Sequence, residues 1–275
     1  MSRCFRLFFV LWVCISANLR VAHADIDAAS VNRAIDRGVT FLRSSQRKKG
    51  GWDEFGGASC GLSSLCTLAL LNAGVSRDDP AIRRAMTYLR ATVAEDTYSV
   101  SLQTLVYCQL GAAGDLPRIR NNVAWLTETQ LVDGSWSYGK ARSFSGDPSN
   151  AQFALLALGA AQDRGVEVDP NVFEKSIAYW IGRQRNDGGW AYGGGSATTG
   201  SMTCAGIASL IIANGRLGNS SSKVKGGQIE CCGADEGGGD PIGLGLQWLA
   251  KRFSVEANPG SPGSQTFYYY LYALE

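Results

Sequence analysis

The sequence predicts an all-α fold built from repeated helical hairpins, and three observations support this prediction. A short phrase, Gln-x-x-x-Gly-[Gly/Ser]-Trp, occurs three times with identical internal spacing, at residues 46–52, 130–136 and 184–190. Each copy follows a stretch with the amphipathic period of a helix. Each copy also precedes an apolar stretch rich in small residues. Repetition at fixed internal spacing is typical of proteins that stack helical hairpins, so it indicates architecture before it indicates chemistry.

Each residue that recurs in the repeated phrase has a structural interpretation. The glycine pair ends a helix and lets the chain turn with a positive φ. The glutamine can hydrogen-bond free backbone groups at that helix end. The tryptophan can fill the space between neighbouring hairpins while its N–H stays paired. We therefore predict structural roles for Gln46, Trp52, Gln130, Trp136, Gln184 and Trp190.

The first 24 residues have the pattern of a secretory signal peptide. Arg3 and Arg6 form a basic start, residues 7–17 are apolar, and Ala22-His23-Ala24 is a small-residue cleavage site. The apolar run is too short for a comfortable membrane span, and no later segment approaches one. We therefore predict a signal peptide at 1–24, a mature repeat domain at 25–275, and export to the periplasm or the extracellular space.

Charge and length narrow the classes of function. Without residues 1–24 the chain carries 23 basic and 24 acidic side chains, and no basic stripe remains. Nucleic acid is therefore not expected as a partner. The remaining chain of about 250 residues is long enough to bury a large core as one domain.

The predicted helices alternate between two kinds. Amphipathic outer helices are expected at 28–45, 80–92, 117–130, 170–184 and 241–253. Three of them start with Pro after an Asp that can cap free N–H groups, namely Asp79, Asp169 and Asp240. Inner helices that are apolar nearly all round are expected at 60–73, 97–112, 149–162, 201–214 and 265–275. The last one reaches Glu275 without a terminating Gly or polar cap, so we expect either a truncated end or an incomplete final repeat at the C-terminus.

The cysteines fall into two groups. Six remain after residue 24, in an exported chain where disulfides are allowed. Cys231 and Cys232 are adjacent in a Gly-rich loop, so we predict either a vicinal disulfide or two thiols that oxidise together. No Cys-x-x-Cys pair occurs, and the one His, His23, lies in the predicted signal peptide. We therefore expect neither a metal site nor a cofactor.

The repeated phrase, followed each time by an Ala/Leu-rich inner helix, resembles the repeat of the prenyltransferase and squalene-cyclase family. The resemblance covers residues 28–275, nearly the whole mature chain. It implies an α/α toroid, in which an outer ring of helices surrounds an inner ring and the amino ends of the inner helices face a central cavity. It does not by itself imply an activity, because function depends on the site that a fold carries.

The catalytic motifs of that family are incomplete in this chain. Squalene cyclases share an Asp-x-Asp-Asp-Thr-Ala stretch, and the matching residues here are 147–152. Asp147 is retained, but Ser149 replaces the acid that protonates the alkene and Asn150 replaces the next Asp. Serine is not a strong acid, so proton attack on squalene is not expected here. Protein prenyltransferases need a His-containing zinc site, which the mature chain lacks.

The remaining candidates for a site lie near the starts of inner helices. Such a polar cluster could bind an anion or a sugar, or could simply cap the helix. Tyrosines nearby would suit an apolar or carbohydrate ligand, or could pack the core. The other inner-helix starts, at residues 60, 97, 201 and 265, carry no acid. The candidate cavity residues are Asp147, Ser149, Asn150, Gln152, Tyr138, Tyr192 and Tyr268.

Two functional hypotheses follow. The first is a binding or scaffold module whose central cavity holds an unidentified apolar or mixed ligand. The alternative is an enzyme, either a divergent terpenoid cyclase or prenyltransferase, or a carboxylate-dependent enzyme that acts on polysaccharide. A pair of acids facing the cavity would favour the enzyme. A cavity lined by Tyr and Ser without paired acids would favour binding.

Overall fold

The computed structural model describes residues 27–55, 59–139, 146–218, 223–225, 228–230, 239–264 and 266–275. The chain divides into two compact units, Met1–Phe41 and Leu42–Glu275. The predicted signal peptide and the Cys231–Cys232 pair both lie outside the described residues. The site and the packing described below belong to the second unit.

The regular secondary structure of the described residues is almost entirely helical, which confirms the predicted all-α class. The odd-numbered helices are α1 (Ala28–Ser45), α3 (Pro80–Ala91), α5 (Leu116–Thr129), α7 (Pro170–Arg183) and α9 (Pro241–Ala250). The even-numbered helices are α2 (Gly61–Asn72), α4 (Thr97–Leu110), α6 (Pro148–Asp163), α8 (Gly200–Arg216) and α10 (Phe267–Leu274). A 3₁₀ turn (Ala113–Asp115) precedes α5. A short antiparallel hairpin pairs β1 (Lys223–Lys225) with β2 (Gln228–Glu230).

Local sequence explains where the odd-numbered helices begin. The carboxylates of Asp79, Asp169 and Asp240 each accept the backbone N–H two residues further on, and a Pro follows each Asp. This arrangement satisfies N–H groups that a helix start leaves free. The three helix starts predicted from Asp-Pro pairs are therefore confirmed.

In the second unit the even-numbered helices form one layer and odd-numbered helices pack against it. Helices α2, α4, α6, α8 and α10 each contact the next one in that series. Helix α5 packs on α4 and α6, while α7 and α9 both pack on α8. Tyr98 at the start of α4 meets Ser149 at the start of α6, and Arg216 at the end of α8 meets Asp163 at the end of α6. These contacts put the amino ends of α4 and α6 together, and likewise the carboxyl ends of α6 and α8.

The three Gln–Trp turns use their tryptophans in the same way. Each indole N–H donates to the carbonyl ten residues earlier, in the last turn of the preceding odd-numbered helix. The acceptors are Leu42, Leu126 and Trp180, at 2.9, 2.7 and 2.7 Å. Each bond satisfies a carbonyl that the helix end leaves free. The indoles of Trp52, Trp136 and Trp190 are buried.

The glutamines connect each turn to the next odd-numbered helix. Each side-chain amide donates to the carbonyl of the first glycine of its own turn. It also donates to a carbonyl in the first turn of the following helix, namely Ala81, Val172 or Pro241. This differs from the prediction that glutamine binds the preceding helix end, because the tryptophan N–H already occupies that position. The glycines have φ values of 98°, 87° and 91°, at Gly50, Gly134 and Gly188.

Candidate functional site

A group of polar and aromatic side chains lies at the amino end of α6. We call it the tyrosine cluster. It contains side chains from the starts of α4, α6 and α10, together with two tyrosines that follow Trp136 and Trp190 by two residues. Its members are Tyr98, Tyr138, Asp147, Ser149, Asn150, Gln152, Tyr192 and Tyr269.

Asp147 is the N-cap of α6 and the centre of the cluster. Its Oδ1 accepts the backbone N–H groups of Ser149 and Asn150, at 2.9 and 3.0 Å, and also the Ser149 hydroxyl. Its Oδ2 accepts the hydroxyl of Tyr192. A carboxylate has about four acceptor positions, and these four hydrogen bonds, three at Oδ1 and one at Oδ2, use most of that capacity. Asp147 therefore acts here as a helix cap that also orients a tyrosine.

Two further hydrogen bonds tie the cluster to neighbouring helices. The Tyr98 hydroxyl of α4 donates a hydrogen bond to Ser149 Oγ at 2.6 Å, while the Ser149 hydroxyl itself donates a hydrogen bond to Asp147. The Tyr269 hydroxyl of α10 donates to Gln152 Oε1 at 2.6 Å. These bonds fix the start of α6 between α4 and α10.

Asn150 is the exception within the cluster. The residue is fully buried, and neither its Nδ2 nor its Oδ1 has a hydrogen-bond partner. Burial raises the pKa of Tyr138, and the nearby Asn150 amide acts in the opposite direction. The amide therefore lies beside the Tyr138 phenol, at a geometry that falls short of a hydrogen bond.

The phenols of the cluster are neutral hydrogen-bonding groups at physiological pH. Burial raises the pKa values of Tyr98, Tyr192 and Tyr269. For Tyr192, the hydrogen bond to Asp147 raises the pKa further, because ionisation would put two negative charges side by side. These tyrosines are therefore suited to donate hydrogen bonds rather than to abstract protons.

An aromatic row leads away from the cluster along α6. The rings of Tyr138 and Tyr98 have centroids 5.9 Å apart, and those of Tyr98 and Phe153 are 4.8 Å apart. Phe153 then stacks on Tyr272 at 5.3 Å. Tyr272 also lines a cavity of about 580 Å³ between the carboxyl-terminal halves of α2, α4 and α6 and the end of α10. The apolar part of its wall is formed by Leu65, Leu68, Ala69, Leu105, Ala160 and Tyr272.

This cavity is within the usual size range of small-molecule sites, about 300–1,000 Å³. Its polar lining residues are Asn72, Gln109, Asp163, Arg164 and Glu275. Gln109 donates to Asn72, and Arg164 donates to the carbonyl of Gly111 at the end of α4. The wall that remains available to a ligand is therefore mainly apolar.

The structure brings six of the seven candidate residues together. Tyr268 is the candidate that does not join the tyrosine cluster. It is 80% exposed, and its ring lies against Phe267. Successive residues of a helix point about 100° apart, so Tyr269, the next residue along α10, contacts Gln152 of α6 while Tyr268 does not join the cluster. Tyr98 was missed altogether, although its position directly after the first residue of an inner helix was available as a signal.

Two of the inner helices do have an acid at their starts, contrary to the expectation that none of these starts carries one. Asp96 caps α4 by accepting the N–H of Ser99 at 2.8 Å. Glu54 accepts the N–H groups of Leu62 and Ser63 at the start of α2, at 2.8 and 3.0 Å. Both acids precede the helix they serve, which is why a survey of first helical residues overlooked them.

No protein-family model matches this chain, and no curated protein matches it. Among the described residues, no three His, Cys, Asp or Glu side chains are grouped closely enough to hold a metal ion. Within the same residues, no helix combines the length and apolar character needed to cross a membrane.

Proposed function

We propose that this chain is an exported protein of the prenyltransferase and squalene-cyclase repeat class, with its hairpins arranged as an α/α toroid. We further propose that it serves as a ligand-binding module. Two observations support the architecture. The three Gln–Trp turns share one hydrogen-bond pattern, and the even-numbered helices contact each other in chain order. The proposal of export, to the periplasm or the extracellular space, rests on the pattern of residues 1–24.

The proposal of ligand binding rests on the hydrogen bonds and the protonation of the tyrosine cluster. Asp147 is its one carboxylate, and that carboxylate is occupied by a helix start, a serine and a tyrosine. The phenols have raised pKa values and stay protonated at physiological pH. The cluster thus offers several hydrogen-bond donors and acceptors but no group poised for proton transfer. Such a surface is suited to holding a ligand.

The ligand that fits this arrangement is of mixed polarity. The polar cluster lies at the amino end of α6, and the apolar cavity lies between the carboxyl-terminal parts of the helices. The aromatic row from Tyr138 to Tyr272 lies between them. Aromatic rings with polar tips suit ligands that carry both apolar and hydroxyl-bearing surfaces. A carbohydrate or a glycosylated apolar molecule has this character.

The enzyme alternative would require a free acid or a pair of acids. Glu54, Asp96 and Asp147 are the carboxylates at the starts of even-numbered helices. Each of them accepts backbone N–H groups in a capping role. Protonating an alkene requires a carboxylic acid that is held neutral and aimed at the substrate. We therefore favour binding over a cyclase.

The binding proposal can be tested by calorimetry on purified residues 25–275. The probes are neutral trisaccharides and octyl glucoside below its micellar concentration, and we expect at least one of them to bind. Tyr192→Phe should weaken that binding about 2- to 10-fold, as for the loss of one hydrogen bond. Tyr268→Phe is the matched control and should bind like the wild type. A protein that binds none of these probes would contradict the proposal.

A second experiment separates binding from cyclisation. The mature protein is incubated with squalene, and products are analysed by mass spectrometry. We expect no cyclised product. A cyclic triterpene that disappears in Asp147→Asn would instead establish the enzyme alternative.

The proposal of export predicts that the secreted protein begins near Asp25, which N-terminal sequencing can check.

A further inference from the structure

Asn150 is the least satisfied polar side chain of the tyrosine cluster. It is fully buried, yet both polar atoms of its amide lack a partner. A buried amide without hydrogen bonds carries the full cost of losing its water. Natural proteins satisfy most buried polar groups, so such an exception calls for a functional explanation.

The polar neighbours of Asn150 on α6, unlike Asn150 itself, do have hydrogen-bond partners. Ser149 on one side is bonded to both Tyr98 and Asp147. Gln152, which carries the same amide group two residues later, accepts the hydroxyl of Tyr269. The start of α6 is therefore well supplied with hydrogen bonds, and the Asn150 amide is left out of them.

We propose that Asn150 determines ligand specificity, and that its amide pairs with two adjacent hydroxyl groups of a neutral carbohydrate. This inference rests on the proposed binding function and names the class of ligand. An amide presents one acceptor and two donors side by side. Its natural complement is a group that accepts from Nδ2 and donates to Oδ1.

The requirement for both a donor and an acceptor excludes most other ligand classes. A carboxylate or phosphate dianion supplies acceptors alone, and an ammonium group supplies donors alone. An alkyl chain supplies neither. Two vicinal hydroxyls supply both, at a spacing that matches the two ends of an amide. The tyrosine rings around Asn150 add flat surfaces for the apolar face of a sugar ring.

Tyr138 is the neighbour that a ligand would displace to reach the amide. The residue is 57% exposed, its ring lies against Tyr98, and its phenol lies beside the Asn150 amide. In the proposed complex the Tyr138 side chain rotates away from the amide. A sugar that replaces the Tyr138 phenol would then reach the amide and keep a ring contact with Tyr98.

The test compares intact and diol-cleaved sugars. Neutral trisaccharides of glucose, galactose or mannose are titrated into the wild-type protein, beside the same sugars after periodate cleavage of their vicinal diols and borohydride reduction. We expect an intact trisaccharide to bind and its cleaved form to bind about tenfold or more weakly, as for two lost hydrogen bonds. Asn150→Leu should weaken binding of the intact sugar to a similar extent.

Thermal stability provides the second readout. Because the amide has no partner in the free protein, Asn150→Leu should melt at the same temperature as the wild type or higher. Ser209→Ala is the matched control: it removes another buried, unpartnered polar atom, on α8, and should leave sugar binding unchanged. Gln152→Leu removes a satisfied amide and should melt lower.

The outcomes distinguish this inference from the broader proposal. If Asn150→Leu melts clearly lower and binds sugar normally, the amide holds an internal water and the inference is wrong. If octyl glucoside binds but intact and cleaved trisaccharides behave alike, the binding function stands and the diol pairing is wrong. If no probe binds, the proposed function and the inference both fail.

Discussion

The individual residues of the Gln–Trp turn divide the work of joining two hairpins. The tryptophan N–H satisfies the end of one odd-numbered helix, and the glutamine amide binds the start of the next. The indole itself fills the space between them, with Trp136 fully buried. Sequence reasoning predicted the structural role of these residues, but it assigned the helix-end carbonyl to glutamine. Which of two donors reaches a given carbonyl depends on the geometry of the turn, which spacing alone does not specify.

Removing the indole should therefore be costly. We expect Trp136→Ala to lower the free energy of unfolding by about 3–5 kcal/mol, as for a large buried aromatic side chain. Trp136→Phe should cost less, because it keeps most of the ring volume and loses only the hydrogen bond from the indole N–H to the carbonyl of Leu126. Urea denaturation measures both. Val132→Ala in the same turn is the control, since Val132 is 99% exposed. An alanine variant as stable as the wild type would refute the structural role.

The first glycine of the turn is constrained in a second way. Gly134 has a φ of 87°, and a Cβ there would lie 2.1 Å from the carbonyl oxygen of Lys175. Gly165 has a similar φ of 75°, but its Cβ would meet nothing within 4 Å. Gly165→Ala should cost about 1–2 kcal/mol from backbone strain alone. Gly134→Ala should cost clearly more, and equal losses in a denaturation series would show that the close approach is unimportant.

At the scale of elements, the sequence predicted helix starts better than helix ends. Asp-Pro pairs at Asp79, Asp169 and Asp240 mark starts because both residues act locally. The last outer helix was predicted to reach residue 253, but α9 ends at Ala250. The hairpin of β1 and β2 was not predicted, since its flanking Gly and Ser residues indicate a loop. Glu54 caps α2 from eight residues before the nearest N–H that it accepts, a contact that local sequence does not specify.

Capping should also control the stability of α6. Asp147→Ala removes acceptors for two backbone N–H groups and should cost about 0.5–2 kcal/mol. Asp147→Asn should cost less, because Asn is also a preferred cap. Urea denaturation of the two variants measures their free energies of unfolding. The comparison separates the contribution of the helix cap from that of the carboxylate charge. If both variants lose the same stability, the hydrogen bond that the carboxylate accepts from Tyr192, and not the helix cap, accounts for the stabilisation by Asp147.

Asp187 links the third Gln–Trp turn to α9, and its contribution should depend on pH. Partial burial acts to raise the pKa of Asp187, but hydrogen bonds from Trp248, Gly189 and Thr198 outweigh it, so the pKa is lowered from 3.8. A lowered pKa in the folded state adds stability above the unfolded pKa, and this stability is lost as pH falls through the folded value.

We therefore expect Asp187→Asn to be less stable than the wild type at pH 7. The difference should shrink as pH falls below about 4, where the unfolded carboxyl becomes protonated. Thermal melts between pH 2.5 and 7 test this, with Asp36→Asn of α1 as a control for general charge effects. A difference that stays constant across that range would contradict the assignment.

At the scale of the whole second unit, the two ends of α6 lie in different environments, one polar and one apolar. Hydroxyls and amides gather at the amino end of α6, where helix starts leave free N–H groups. Apolar side chains surround the cavity at the other end. The sequence indicated the polar residues because they lie within a few positions of one another. It could not indicate that Tyr98 and Tyr269 join them, because those contacts span 51 and 117 residues of chain.

The cavity gives the last prediction. Ala160 of α6 contributes to its wall, and a phenylalanine there would occupy much of the space of about 580 Å³. If the cavity holds the apolar part of a ligand, Ala160→Phe should abolish the binding of an apolar fluorescent dye and of the alkyl chain of octyl glucoside. Ala124→Phe is the control, because Ala124 lines a separate groove beside α5. Binding of neutral trisaccharides should survive Ala160→Phe, since the sugar site depends on Asn150 and the tyrosines. Unchanged dye binding in Ala160→Phe would place the apolar site elsewhere.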